Sequence, residues 1–352
     1  MNEAQKTDST EDLFEKILKT RMMPSDEEWK RIYQCAESDD ECERYDAAEA
    51  LGIRCDAEDE KLLCQMTYDK NWLVKVSAIE ALENGRQKKT LTRLFQLMRR
   101  GGTIVRGYSV QAYFEIWINR YGYTKPSVEM FWKKVESRYR REEDLWVRSA
   151  YEKCRYISGD EEALLNLKQI ILDAQDNHRT QTAAFHGLTY VCNVFNEKII
   201  KQIVMDVYPY INVTFGLKRE IEDFLKRKEV PKILFLDQEN AALAQILRYL
   251  AADMENDMWV ETAGLNPAEK TKEEVRKSVG ESEIFNRYYY PINLRSVWIY
   301  DYIVPLGIKI NKEKYPFQKI VPLFENVDEN MLDVEKAKKM LDDLKLYIDK
   351  DM

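Results

Sequence analysis

Along the first 230 residues, apolar side chains recur with a spacing near 3.6, in stretches separated by short polar breaks such as TYDKN, RRGGT, REED and DAQDN. That period puts the apolar positions on one face of a helix and predicts a succession of helices rather than strands. Five of the stretches align with one another: ERYDAAEALG (43–52), VKVSAIEALENG (74–85), VRGYSVQAYFEI (105–116), VRSAYEKCRYI (147–157) and TQTAAFHGLTYV (180–191). Seven residues after each start stands a small side chain, namely Ala50, Ala81, Ala112, Cys154 and Gly187. Two helical turns separate start and small residue, so both share one face, and the small residue lets a neighbouring helix approach closely. Other helical patterns run between the aligned ones, for example Leu91, Leu94, Phe95 and Met98, or Val128, Phe131, Trp132 and Val135. A helix pair of this size cannot bury its own apolar faces and has to stack on the next pair.

At Pro231 the texture changes. Lys232 to Leu236 is a short apolar run of strand length, followed by a polar turn and a helical pattern through Ala241, Leu243, Ala244, Leu247, Leu250 and Ala251. Further strands are predicted over 258–262, 298–304 and 319–323, with helices over 270–279 and 332–349. Strands that alternate with helices point to a parallel sheet. The chain thus divides into an all-α stack over 1–229, its acidic residues 1–24 set apart as a flexible head, and an α/β domain with a parallel four-stranded sheet over 230–352. The short connection Lys226–Pro231 predicts a rigid junction, with Tyr288 to Tyr290 in the contact and the α/β domain serving either as a second interaction surface or as a cap on the last helix pair.

Two resemblances follow from the residues. Asp69 to Leu82, DKNWLVKVSAIEAL, and Asp144-Leu-Trp-Val-Arg148 resemble the HEAT repeat family, with its turn Asp, a Val followed by a basic residue, and later small residues. The resemblance covers about residues 25–228 and implies an α-solenoid, a fold used to bind other macromolecules. In the α/β part, Lys232 to Gln245, KILFLDQENAALAQ, looks like the strand, phosphate loop and first helix of the low-molecular-weight protein tyrosine phosphatases and their arsenate reductase relatives. Glu261-Thr-Ala-Gly-Leu265 is similar to the turn after that family's second strand, and Asp301 to Leu306 to its third.

The chemistry of the second family does not carry over. Its members attack with a loop cysteine held as thiolate by loop amides and an arginine. Here Asp237 stands at the cysteine position, Leu243 at the arginine and Ala244 at the supporting serine, and no cysteine follows Cys192. Asn240 persists as a loop-shaping residue. Asp237 and Glu239 bring carboxylates where an oxyanion would lie, a repulsion of roughly 1–4 kcal/mol per charge at about 4 Å. One expectation is therefore that Asp237 itself occupies the amide cradle as a built-in anion. The nearest match to the family's general acid is Asp328, followed by Glu329 in place of Pro. A rival reading takes Asp237 as an aspartate nucleophile of the haloacid dehalogenase type, with Glu239 only approximating the second acid.

Composition narrows the function classes. With 45% apolar and 33% charged residues, the chain builds a core, and 12 Gly and 9 Pro disfavour a turn-rich β fold. Two histidines and six cysteines without a C-x-x-C pair predict neither a metal site nor a redox centre, and no cofactor. The N-terminus has no signal-peptide pattern and no stretch spans a bilayer, so the expectation is a cytoplasmic protein with reduced thiols and no membrane contact. Net charge is −8, unevenly spread: residues 1–60 carry 8 basic against 19 acidic side chains, or −11, whereas 61–160 carry 20 against 11, or +9. Asp40 with Arg44, and Asp144 with Arg148, have the i, i+4 spacing for ion pairs in a ladder. Arg93, Arg99, Arg100, Arg106, Lys133, Lys134, Arg138, Arg140, Arg141 and Arg148 are candidates for a binding surface. The expectation is a non-catalytic protein-interaction scaffold with a protein partner and no small-molecule substrate. The alternatives are nucleic-acid binding through 61–160 and an Asp237-dependent phosphatase.

Overall fold

The computed structural model describes residues 10–20, 24–175, 177–211, 215–254, 257–268, 270–279 and 294–352. Thirteen helices precede the first strand among these residues: α1 Thr10–Thr20, α2 Asp26–Cys35, α3 Glu41–Arg54, α4 Ala57–Met66, α5 Trp72–Ala81, α6 Lys88–Arg100, α7 Thr103–Tyr121, α8 Lys125–Tyr139, α9 Leu145–Ile157, α10 Glu162–Asp173, α11 His178–Tyr190, α12 Glu197–Val207 and α13 Phe215–Lys226. The five aligned stretches fall on α3, α5, α7, α9 and α11. These pack side by side in sequence as an inner layer, while α4 packs on α6 and α10 on α12 outside them. The small residues sit where that packing needs them: Ala50, Ala112 and Cys154 are fully buried. A Cβ on Gly107 of α7 would lie 2.1 Å from the Trp146 ring of α9, so only glycine lets those two helices approach as they do.

The ladder of charges exists, but with different partners from those the spacing suggests. Asp40 and Asp144 accept backbone N–H bonds at the starts of α3 and α9, from Cys42 at 2.8 Å and Trp146 at 3.0 Å. An acid at the N-cap satisfies an otherwise orphaned amide and faces away from the base one turn on. Arg44 instead reaches forward to Asp69 of the next repeat, with Nε 2.7 Å from Oδ2, and Arg106 likewise meets Glu142 at 3.0 Å and Asp144 at 3.8 Å. Within the acidic head, the described residues 10–20 form α1, which packs on α3 and buries Leu13, Phe14 and Ile17.

The α/β part holds β1 Lys232–Asp237, α14 Leu243–Ala251, β2 Trp259–Gly264, α15 Glu273–Val279, β3 Tyr302–Pro305, β4 Lys319–Ile320 and α16 Val334–Asp351. All four strands are parallel, in the order β2-β1-β3-β4. The third strand begins later than the apolar run suggests, because Val297–Ile299 forms a short 3-10 turn, and the fourth ends at Ile320 before another at Pro322–Phe324. Strand alternation explains the uninterrupted hydrophobicity of β1, since both faces are covered. Ile233 and Phe235 pack with α14, α15 and α16, while Leu234, Leu236 and Ile303 belong to the same apolar cluster as the helical layer.

The α/β part lies along the edge where the inner-layer helices end, not on the last pair alone. Arg295 donates to the Arg54 carbonyl at the end of α3, and Arg86 to the Leu294 carbonyl. The Ser296 N–H reaches Asn119 Oδ1 at 2.9 Å, and Lys232 Nζ lies 3.4 Å from the Cys192 carbonyl after α11. Helix C-termini present unsatisfied carbonyls and partial negative charge, so cations from the α/β part are favoured there. The stretch 288–290 lies outside the described residues. No helix among the described residues is long and apolar enough to cross a membrane.

Gly107→Ala is expected to lower thermal stability by about 1–3 kcal/mol, the usual cost of overpacking a filled interface. Calorimetric or dichroic melting checks this, and an unchanged midpoint refutes the close approach.

Candidate functional site

The turn between β1 and α14 is where the sheet's topology would put a site, since ligands of open α/β sheets bind beyond the carboxyl ends of the strands. Its conformation is set by a few residues. Asn240 adopts φ 53, a left-handed backbone that asparagine tolerates. The Gln245 side-chain amide, from the first turn of α14, bonds back to the Asn240 carbonyl at 2.8 Å and to Asn240 Oδ1 at 2.9 Å. Behind the turn stands Gly264 at the end of β2, where a Cβ would meet the Glu239 backbone at 3.0 Å. The strand-like course continues past Gly264: the N–H groups of Leu265, Asn266 and Ala268 donate to the carbonyls of Asp237, Gln238 and Glu239.

Two loop amides that would serve an oxyanion are already taken. Asp237, 1% exposed, accepts the Asn240 N–H on its own Oδ1. Glu329, from the segment before α16, accepts the Gln238 N–H at 2.9 Å through Oε2. Burial pushes the Asp237 carboxyl up to about 7, opposed by the Asn240 amide and by Lys272, with Glu329 and Glu239 adding to the rise. Leu243 and Ala244 are fully buried in the start of α14, and the Leu243 N–H goes to the Glu329 carbonyl at 3.0 Å. Glu239 is exposed and lies 3.9 Å from Lys272 Nζ. Asp328 is engaged with the Asn330 N–H at 3.0 Å. Glu329 is the residue the sequence did not single out for this role. It reads there only as a missing proline, because its partner is 91 positions away.

The basic candidates separate into two groups. Arg93 is committed locally, its guanidinium 3.4 Å from the Tyr68 ring centroid and bonded to Thr67. Arg106 belongs to the charge ladder, Arg148 lies 5.8 Å over Tyr139, and Arg140 pairs with Glu136 one turn back. On the outer helices α6 and α8, Arg99, Arg100, Lys133 and Lys134 are exposed, as is Arg141 in the turn after α8. Arg138 and Lys134 cross toward Phe95 of α6, at 5.2 and 5.9 Å. Burial lowers the Arg138 guanidinium pKa, and Arg99 and Arg141 beside it push the same way. No group of side chains suited to a metal ion occurs among the described residues.

Asp237→Asn isolates the buried carboxyl. An unfolded aspartate titrates near 3.9 and the folded one near 7, so the folded state holds its proton more tightly and wild-type stability falls as pH rises across that window. The asparagine does not ionise. The stability of the variant relative to wild type is therefore expected to rise between about pH 4 and pH 7, measured by denaturant melts at each pH. A difference that stays flat contradicts the burial of the charge.

No protein-family model and no curated protein matches the chain. Among solved structures it is similar to the Corynebacterium glutamicum thioredoxin-dependent arsenate reductase, at 16% identity over 54% of this chain and 96% of that one, with a TM-score of 0.26. At that TM-score the similarity assigns no family, and the architecture rests on the strand order and helix packing described above.

Proposed function

We propose that this chain is a non-catalytic binding protein, in which a HEAT-type solenoid presents the partner surface and a phosphatase-like α/β part has given up chemistry to become a docked structural element. The observation that carries the reading is the self-filled loop. The Gln238 and Asn240 amides are held by Glu329 and Asp237 of the same chain, and the position of the family's arginine is a buried leucine. An oxyanion brought to this loop meets carboxylates in place of donors and gains no bidentate cation. The partner proposed is a protein, acting in a reducing, cytoplasmic setting. Tyr68, Trp72 and Leu73 around the start of α5 are 68%, 54% and 45% exposed, with Arg93 stacked on Tyr68. Large aromatic side chains beside an arginine are the composition of interface hot spots.

A second reading is favoured by the cations of α6, α8 and the turn after it, where Arg99 and Arg141 lie close to Arg138. This surface suits a nucleic-acid backbone.

Under the leading reading, the full chain neither hydrolyses aryl phosphates nor retains inorganic phosphate in calorimetry. A partner captured from host lysate after nuclease treatment is lost with Tyr68→Ala/Trp72→Ala. Turnover abolished by Asp237→Asn overturns it in favour of an enzyme. Oligonucleotide binding that weakens steeply with salt, and disappears when Arg99, Arg100, Lys133 and Lys134 are changed to Glu, overturns it in favour of the second reading.

A further inference from the structure

A cavity of about 630 Å³ opens between the helical layer and the α/β part, at the amino ends of the strands and so at the opposite edge of the sheet from the Asp237 loop. Its walls come from the turns that end α9 and α11 on one side, and from Lys232, Trp259, residues 298–301 and residues 317–318 on the other. Neither half alone encloses it. Three of its lining rings are unusually open to solvent for their size: Tyr190 at 38%, Phe195 at 47% and Phe317 at 36% exposure. Each is backed by a second ring, Tyr190 by Trp298 at 5.0 Å, Phe195 by Tyr302 at 5.8 Å and Phe317 by Tyr123 at 4.7 Å between centroids. Lys153 Nζ lies 4.1 Å from the Tyr190 centroid and Lys319 Nζ 4.3 Å from that of Phe195, so each of these rings is held by two neighbours and loses little freedom when a ligand packs on it.

The cavity's polar lining includes two acceptors, Gln318 and Asp301, beside the Lys232 ammonium. Gln318 Oε1 is buried and finds no hydrogen-bond partner among the described residues. Asp301 is 5% exposed, and its Oδ2 accepts the Lys232 N–H at 2.8 Å. The Lys232 ammonium is turned to the Cys192 carbonyl and lies 4.0 Å from Glu229. An unpartnered buried acceptor costs free energy until a donor reaches it. Aromatic walls and waiting acceptors together select a flat ring that carries N–H groups, and disfavour an anion or a purely aliphatic guest.

We propose that this cavity binds a planar heteroaromatic ligand with N–H donors, of the nucleobase or nucleoside class, stacked against Tyr190, Phe195 and Phe317 with its N–H groups on Gln318 and Asp301. Burial raises the Asp301 carboxyl to about 6, with the Lys232 N–H bond opposing, so it is still largely an acceptor at neutral pH. The site is independent of the proposed loss of catalysis, because no residue of the Asp237 loop lines it.

The test is calorimetry on the full chain with adenosine and guanosine as probes, and choline as a control that fits an aromatic cage without donating N–H bonds. One nucleoside is expected to bind with a Kd below about 100 μM, and choline is not expected to bind. Phe195→Ala and Phe317→Ala, both at exposed positions, are each expected to weaken binding by about five- to hundredfold, the usual worth of a base-stacking ring. Gln318→Ala should weaken it as well, with melting midpoints confirming that each variant folds. Absence of binding of either nucleoside up to about 1 mM overturns the proposal. So does unchanged affinity in the folded Phe195→Ala/Phe317→Ala double variant, or preference for choline.

Discussion

Glu115 lies in the middle of α7, 1% exposed, and takes hydrogen bonds from Trp298 Nε1 at 2.7 Å and Ser296 Oγ at 3.1 Å. Burial raises its pKa, and the two donors together with Lys153 work against that rise. Nearby burial acts on Glu83 upward and on Lys153 downward, so the three charges share one low-dielectric neighbourhood. A carboxylate removed from water in this way is tolerable only while its donors stay in place. Those donors belong to the segment that leads into β3. This contact between distant parts of the chain therefore helps to fix the position of the sheet against the helices, and with it the cavity beside Trp298, together with the bonds of Arg295, Ser296 and Lys232.

The contact has a consequence for how the molecule is divided. The apolar cluster that starts at Leu13 runs without interruption to Ile303, so the second face of the sheet is covered by the helical layer. Separated from that layer, Leu234, Leu236 and Ile303 would face water. The arginine and lysine contacts to helix-end carbonyls orient the docking, while the shared apolar cluster supplies most of its stabilisation. An α/β part held in this way has its amino-terminal edge shaped by its neighbour. Its carboxyl-terminal edge is shaped by the Asp237 turn and Glu329.

At the Asp237 turn, carboxylates of the chain satisfy amides that an external anion would otherwise attract. At the opposite edge, aromatic rings and two acceptors surround space that neither half of the molecule fills. The turns that end α9 and α11 contribute to the second edge.

Much of this was legible in the order of residues. The 3.6-residue period, the small side chains of Ala50, Ala112 and Cys154, and the apolar run before Asp237 each act over one or two turns of chain. Their meaning is therefore local and survives without knowledge of the partner. That the Asp237 turn holds neither cysteine nor arginine is readable for the same reason. Tertiary structure alone decided what depends on distance between chain positions. Arg44 ignores Asp40, four residues away, for Asp69, because the near acid is consumed by an N-cap. Glu329 fills an amide 91 positions back. Glu115 meets Trp298 across 183. No periodicity encodes such pairings: they arise when packed surfaces bring together groups whose burial makes a partner obligatory.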